Sequence, residues 1–471
     1  MQTLDIVIFV VFFAINLIVG ISARGKQQSF RDFAVGNKDF STATLVATLV
    51  ATMASGSTLF NVVEQVYNSG LYFAVAIFVG VPTGLLLTSY VIAPRMQSFL
   101  QHISIADAMG SIYGKGVQSL SACSALLCSL GFIAIQFKVI ATILVALFNL
   151  EGDTITYITI FAAAMVTFYS AFGGVKAVTF TDMVQFITFG TLLPVLALNI
   201  WNHIEAPRDI AASLAGNPNF SFRSMFEWNA QFSTMLTFIF IFILDKASLA
   251  PEFFQRMVMA RDLKQVQRSI NVANLFFMLI LGFMMWIAVL LFVDNPALKG
   301  GEVVTYMINT HTYVGLKGFL GVGIIALAIS TADSVLNSTA VTVTNDLLPN
   351  IKLISEPSTK VASRVTFVIG FVATLLTLSI QNILSILLLC ATFYMPIITA
   401  PILLTIFGLR THPVVIYIGM GAGIITTIIL MRFFPDVNSL FPGIFSNLIC
   451  LLGGHYLLKG KKKGVSSLGT P

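Results

Sequence analysis

Charge is what this sequence has least of. Only 10% of its 471 residues are Asp, Glu, Lys or Arg, while 57% are hydrophobic. An ordinary soluble domain carries about 25% charged residues. A soluble fold of this size could not cover its surface with so few charges without exposing large apolar patches. Disordered, coiled-coil and disulfide-scaffold classes fall for the same reason. Cysteine is also scarce, and Cys123, Cys128, Cys390 and Cys450 all lie in apolar runs. None has metal-ligand spacing, so they read as small packing residues rather than a redox pair or a transition-metal site. The chain also lacks a phosphate loop, a catalytic triad and a metal-ligand cluster, so no enzyme is expected. What remains is a polytopic, all-α integral membrane protein.

The apolar runs are long. A span needs about 20 mostly apolar residues, and on that measure about thirteen fit: 4–23, 40–61, 71–93, 117–149, 154–171, 177–201, 231–250, 270–293, 318–345, 362–380, 383–407, 413–433 and 440–458. The first lacks the basic flank and cleavage site of a signal peptide and is expected to be retained. The net charge of +6 does not point to nucleic acid, because the basic residues are spread over short loops. Nineteen of the 26 basic residues, among them Arg256, fall in one set of alternate loops and the tail. By the positive-inside rule this puts the N-terminus outside and the C-terminus in the cytoplasm.

Ionisable residues at membrane depth are functional candidates by default. Five qualify: Lys138, Asp182, Asp245, Lys246 and Asp333. Asp182 follows Gly173-Gly174 and Thr181 and reads either as a helix-start residue or as a site residue. In Ser330-Thr331-Ala332-Asp333-Ser334, positions 330, 331 and 334 share a helix face, with 333 beside it. Three hydroxyls and a carboxylate supply hard oxygen ligands, which suit small hard cations. Residues 49–58, with Met53-Ala54-Ser55-Gly56-Ser57-Thr58, are small and hydroxyl-rich where a lipid-facing helix would carry Leu or Ile. They read either as close packing or as a discontinuous helix whose unwound carbonyls hold a cation. Span 231–250 has a matching interruption at Asp245-Lys246 and Pro251. Adjacent on a helix, Asp245 and Lys246 point about 100° apart and are not expected to pair.

Four motifs in order then carry a resemblance. They are Asp32-Phe33-Ala34-Val35-Gly36, Gly173-Gly174 through Thr181-Asp182-Met183-Val184-Gln185, Phe254-Gln255-Arg256-Met257 with Arg261, and Ser330 to Ser338 ending at Asn345-Asp346-Leu347. Together they resemble the sodium:solute symporter family, which includes proline, sugar, pantothenate and sialic acid carriers. The resemblance implies a five-plus-five inverted-repeat transporter fold, with repeats at 38–203 and 227–410. An extra N-terminal helix and loop (1–37), two extra C-terminal helices (411–458) and a short basic cytoplasmic tail (459–471), expected to be unstructured, would flank them.

It also implies a sodium site made of the carbonyls of Ala51, Ala54 and Leu327 and the hydroxyls of Ser330 and Thr331. Asp182, Ser330 and Ser334 match the position of a second sodium, where Asp333 replaces a serine of the sialic acid carriers. Asp182, Asp333 and Ser334 are thus candidates for a second sodium or a proton. Ser55 and Thr58, with Gly56 between them, match solute-contacting positions. Gln136, Lys138 and Asp245 are further solute candidates, and Lys138 would suit an anion or zwitterion. Met53 replaces an aspartate of the proline carriers. The expected function is sodium-coupled import of a small organic solute by alternating access, an amino acid such as proline first, otherwise another organic anion or zwitterion. A proton-coupled carrier and a symporter-like sensor are the alternatives. Na+ is the one expected coupling ion, with no other cofactor, and the chain is expected to work as a monomer in a bacterial inner membrane.

Overall fold

The computed structural model describes residues 2–23, 29–148, 150, 152–204, 210–299, 301–379, 383–434 and 438–466. Among the described residues there is no strand. Hydrocarbon offers backbone N–H and C=O groups no partners, so a span must satisfy them within its own helix. The principal helices are α1 (Thr3–Ala23), α2 (Thr42–Met53), α3 (Gly56–Ser69), α4 (Leu71–Leu87), α5 (Lys115–Phe148), α6 (Thr154–His203) and α7 (Ala230–Ala247). They continue with α8 (Pro251–Val258), α9 (Leu263–Asp294), α10 (Leu316–Thr342), α11 (Thr359–Ser379), α12 (Ile383–Ile406), α13 (Pro413–Phe433) and α14 (Leu440–Ser466).

Among the described residues, ten helices are long and apolar enough to cross a membrane, or eleven if α2 and α3 count as one bent span. The thirteen expected from the sequence are not reached on this measure, for two local reasons. Spans 154–171 and 177–201 run together as α6, whose 50 residues would be about 75 Å long if straight. That is more than twice the hydrocarbon thickness of about 30 Å. The helix is interrupted at Gly174, where φ is 63° and ψ is 177°. The other is that α12 enters this measure only over Thr392–Ile406, although its helix runs from Ile383 to Ile406. The tail expected to be unstructured from 459 on begins as a continuation of α14 to Ser466, and 467–471 lie outside the described residues.

The backbone at Gly174 is in a region that is essentially closed to residues with a Cβ. Gly174→Ala is expected to cost about 1–3 kcal/mol, read as earlier thermal unfolding in detergent. An unchanged unfolding temperature would mean that the kink is not held at this position.

Burial identifies the hub. In α10, 94% of the best apolar window is buried, against 28% in α1 at the periphery. A helix hidden on all sides can carry hydroxyls and carboxylates only if they are met by partners from its neighbours. Those neighbours are α1, α2, α3, α5, α6, α8 and α11.

Two interruptions lie against this hub. Ser41 caps the start of α2, and Ala54 leaves the helix at φ −83° and ψ 84°. Ser55 then caps α3, accepting from Thr58 N. The axis bends by 55° across the gap. Gly56 makes the approach feasible: a Cβ there would stand 2.8 Å from Val139 Cγ1 and 3.0 Å from Ala328 Cβ. The second interruption separates α7 from α8, with Leu249 at φ 57° and Pro251 at the first helical position. The break read at 49–58 is thus seen in the backbone, whereas the second lies after Ala247, so Asp245 and Lys246 are still helical and the chain resumes as a helix at Pro251.

Candidate functional site

The break after α2 frees oxygen ligands. In a continuous helix the N–H groups of Ser55 and Thr58 would turn to the carbonyls of Ala51 and Ala54. Here Ser55 N donates to Met53 O at 3.1 Å, and Thr58 N donates to Ser55 Oγ at 2.9 Å. Ala51 and Ala54, both fully buried, lose those donors. Across the gap, Thr331 Oγ1 on α10 donates to Thr52 O at 3.4 Å and Leu327 O at 3.3 Å. This places α2 carbonyls beside the Leu327–Thr331 turn of α10, with oxygen on both sides.

Ser330 points the other way. Its hydroxyl donates to Asp182 Oδ1 at 2.8 Å. Asp182 Oδ2 accepts from Thr48 Oγ1 and from Arg256 Nη2 at 3.5 Å. The same Nη2 donates to Ser334 Oγ at 2.6 Å, and Ser334 lies 3.1 Å from Thr52 Oγ1. Arg256 Nη1 reaches Gln255 Oε1 at 3.0 Å, while Gln255 Nε2 donates to Ala34 O and to Asn337 Oδ1. Asp182 and Arg256 are both fully buried. One network therefore ties α2, α6, α8 and α10 together around a dry ion pair.

These contacts change several readings of the sequence. Asp182 lies within α6, well past its kink, and binds across helices, so it is no helix-start residue. Arg256, placed in a cytoplasmic loop by the positive-inside count, is buried against Asp182 because α8 folds back under α10. Asp182 and Ser334 are joined through Arg256. Asp333 stands apart: Ser170 Oγ donates to its Oδ1, and Oδ2 has no partner among the described residues. Asp245 and Lys246, not expected to pair, are bridged at 2.7 Å. The flexible four-carbon stem of lysine overcomes the 100° offset.

The two helix breaks meet at a cavity of about 300 Å³. Ser55, Thr58 and Asp245 line it, as does Thr331. Ser55 Oγ and Thr58 Oγ1 lie 2.7 Å apart. Gln136 stands behind this wall, donating to Ser57 Oγ at 3.0 Å. Gly56 also serves from behind, through the close packing described above. Lys138 is half-buried on α5 and is not among the lining residues. Thr48, Thr52 and Glu252 were not singled out from the sequence, and Gln255 and Arg256 entered only as part of the Phe254–Met257 motif, with no site role. The spacing of Thr48 and Thr52 by one helical turn, ahead of the break, was the available signal for the first two. A larger apolar groove of about 540 Å³, between α1 and α6, holds none of the ion-site candidates.

Among the described residues, no group of His, Cys, Asp and Glu could hold a metal in the manner of a transition-metal site. The donor set around α2 and α10 is instead hydroxyl, carbonyl and carboxylate oxygen, as a hard cation requires. Cys128 and Cys390 are buried and form no disulfide among the described residues, in keeping with their reading as packing residues.

Known proteins share this frame. A solved structure described as the substrate-bound outward-open state of a Na+-coupled sialic acid symporter superposes with a TM-score of 0.84, at 19% identity, over 95% of this chain and 97% of that one. The closed form of Mhp1, a nucleobase-cation-symport-1 family transporter, gives 0.57 at 14% identity over 93% and 96%. In sequence, the high-affinity choline transporter 1 of Caenorhabditis elegans is 22% identical, over 90% of this chain and 77% of its own length. The architecture is that of five-plus-five inverted-repeat transporters, and the protein is multi-pass. The family model for the sodium:solute symporter family matches residues 33–420. That match makes Na+ the coupling ion and a small solute the cargo. The chain belongs to the sodium:solute symporter family.

Proposed function

We propose that this protein imports a small organic solute with Na+ by alternating access, and that the ion binds between α2 and α10. The observation that carries the reading is the break that frees the Ala51 and Ala54 carbonyls where Thr331 Oγ1 reaches across to Thr52 O. The Leu327 carbonyl, and a Ser330 hydroxyl turned away from Asp182, would complete the shell. Ala51, Ala54, Leu327, Ser330 and Thr331 are all buried. An ion bridging α2 and α10 would hold one segment of residues 38–203 against one of 227–410, the two repeats of the scheme. Solute in the cavity would contact Ser55 and Thr58 on one side and the Asp245–Lys246 pair on the other. Thr331 faces both ion and cavity, which gives the coupling a physical route.

One Na+ crossing 100 mV supplies about 2.3 kcal/mol, enough to concentrate a neutral solute roughly fifty-fold from voltage alone. An amino acid such as proline, or another zwitterion, fits a cavity that offers a paired acid and base. The choline carried by the relative named above favours solutes with an ammonium centre. An organic anion held by Lys138 is disfavoured, because that side chain does not line the cavity. A second ion at Asp182 and Ser334 would compete with the Arg256 guanidinium already bonded there. The working unit in this proposal is a monomer in a bacterial inner membrane, N-terminus outside.

A thermal-shift screen of amino acids, quaternary amines, sugars and carboxylates in Na+ and in K+ tests the reading. Stabilisation by one solute class in Na+ and not in K+ is expected. Equal stabilisation in the two salts would count against sodium coupling.

A further inference from the structure

Three charged side chains face the cavity: Asp245, Lys246 and Glu252. The first two neutralise each other at 2.7 Å. Among the described residues, no Lys, Arg or His nitrogen lies within 4.0 Å of Glu252, and its carboxylate accepts no hydrogen bond from another side chain. Glu252 is therefore the one carboxylate facing the cavity without a direct ion-pair partner among the described residues; burial raises its pKa, and Lys246 and Arg256 act on it only from a distance. Its walls are aromatic, with Phe132, Phe253, Phe277 and Tyr394 among them. The Tyr394 hydroxyl is already committed to Leu249 O at 3.0 Å, so its ring is what it offers.

Aromatic faces carry negative quadrupole density and attract a cation within about 6 Å. They supply none of the oxygen shell that a bare metal ion needs. An organic cation, by contrast, can rest against rings with its charge towards a carboxylate and needs few hydrogen bonds. A solute bearing only negative charge would meet Glu252 without a free base to offset it. We infer that Glu252 is the residue that receives the positive end of the cargo, and that the cargo carries an alkylammonium group. This rests on the reading of the chain as a sodium-coupled carrier whose solute occupies this cavity.

Three probes that share a tert-butyl-like body separate charge from fit: tetramethylammonium, uncharged tert-butanol of the same size, and the slightly larger anion pivalate. Binding is measured calorimetrically on the purified full chain in saturating Na+. Tetramethylammonium is expected to bind at least about tenfold tighter than tert-butanol at this partly buried carboxylate, with pivalate weakest. Glu252→Gln should remove that preference and leave tert-butanol binding in place, while Glu252→Asp should retain part of it. Equal affinities, a preference for pivalate, failure of all three probes to bind, or an unchanged preference in Glu252→Gln would each overturn the assignment. Sodium-dependent stabilisation measured without any probe controls for folding of the variants. Its absence in the wild type would instead defeat the symport reading, so the two failures are told apart.

Discussion

Arg256→Met is expected to lower unfolding stability by about 3–5 kcal/mol, the usual cost of breaking a buried ion pair by removing one partner. The partner left behind is the Asp182 carboxylate, which has no exposure to solvent. Thr48 and Ser330 would still donate to it, but two hydroxyls do not replace a guanidinium. The loss also reaches Ser334 and Gln255, which bond to the same side chain. Removing both charges together should be milder, because an uncharged pair is not stranded in a dry interior. The double variant Arg256→Met with Asp182→Asn is thus expected to be more stable than Arg256→Met alone. Chemical or thermal unfolding in detergent reads the comparison. Additive losses in the double variant would mean that the two side chains do not interact as the geometry requires.

The second large effect concerns the ion. Thr331→Ala removes one of five oxygen ligands and should raise the sodium concentration for half-maximal solute binding by about ten- to a hundredfold. The basis is the 1.5–3 kcal/mol of a bond to a charged group, at 1.4 kcal/mol per tenfold. Ser330→Ala should act in the same direction and, by taking a donor from Asp182, also reduce stability. Neither change is expected to alter the order in which solutes are preferred, since the cavity's charges and rings are untouched. Solute binding titrated against Na+ provides the reading. An unchanged sodium requirement in both variants would remove the site from between α2 and α10.

The features on which the proposed ion site rests are visible in the sequence because the residues assigned to it by the family resemblance sit on one continuous helix and at one break. The Ser330–Ser334 stripe stands out where lipid-facing residues would be apolar. The small, hydroxyl-rich run at 53–58 marks the interruption without any knowledge of the partner helices. Arg256 was hidden for the opposite reason. It falls in a segment with Arg261, Lys264 and Arg268, and local charge density reads as a solvated loop. Only the return of α8 beneath α10 takes this one side chain to a buried carboxylate. Glu252 follows Pro251 in the same segment and was masked in the same way.

The Asp245–Lys246 bridge failed to show because backbone periodicity sets where a Cβ points, and a lysine stem is long enough to ignore it. Lys138 shows the converse: a charge at membrane depth on a core helix need not face the cavity. Helical phase narrows the possibilities for a side chain, and tertiary packing decides among them. Asp182 and Asp333 were grouped because the family resemblance matched both to the region of a second ion. In the fold, one joins the Arg256 network and the other turns to Ser170.

The central claim is that sodium bound between α2 and α10 drives solute accumulation. Uptake of a solute found by the thermal-shift screen, into proteoliposomes with an imposed inward Na+ gradient and an inside-negative potential, tests it most directly. The account predicts accumulation above the external concentration that collapses when Na+ is replaced by K+ and is severely reduced in Thr331→Ala at the same Na+ concentration. Equal accumulation without sodium, driven by a proton gradient alone, would contradict it.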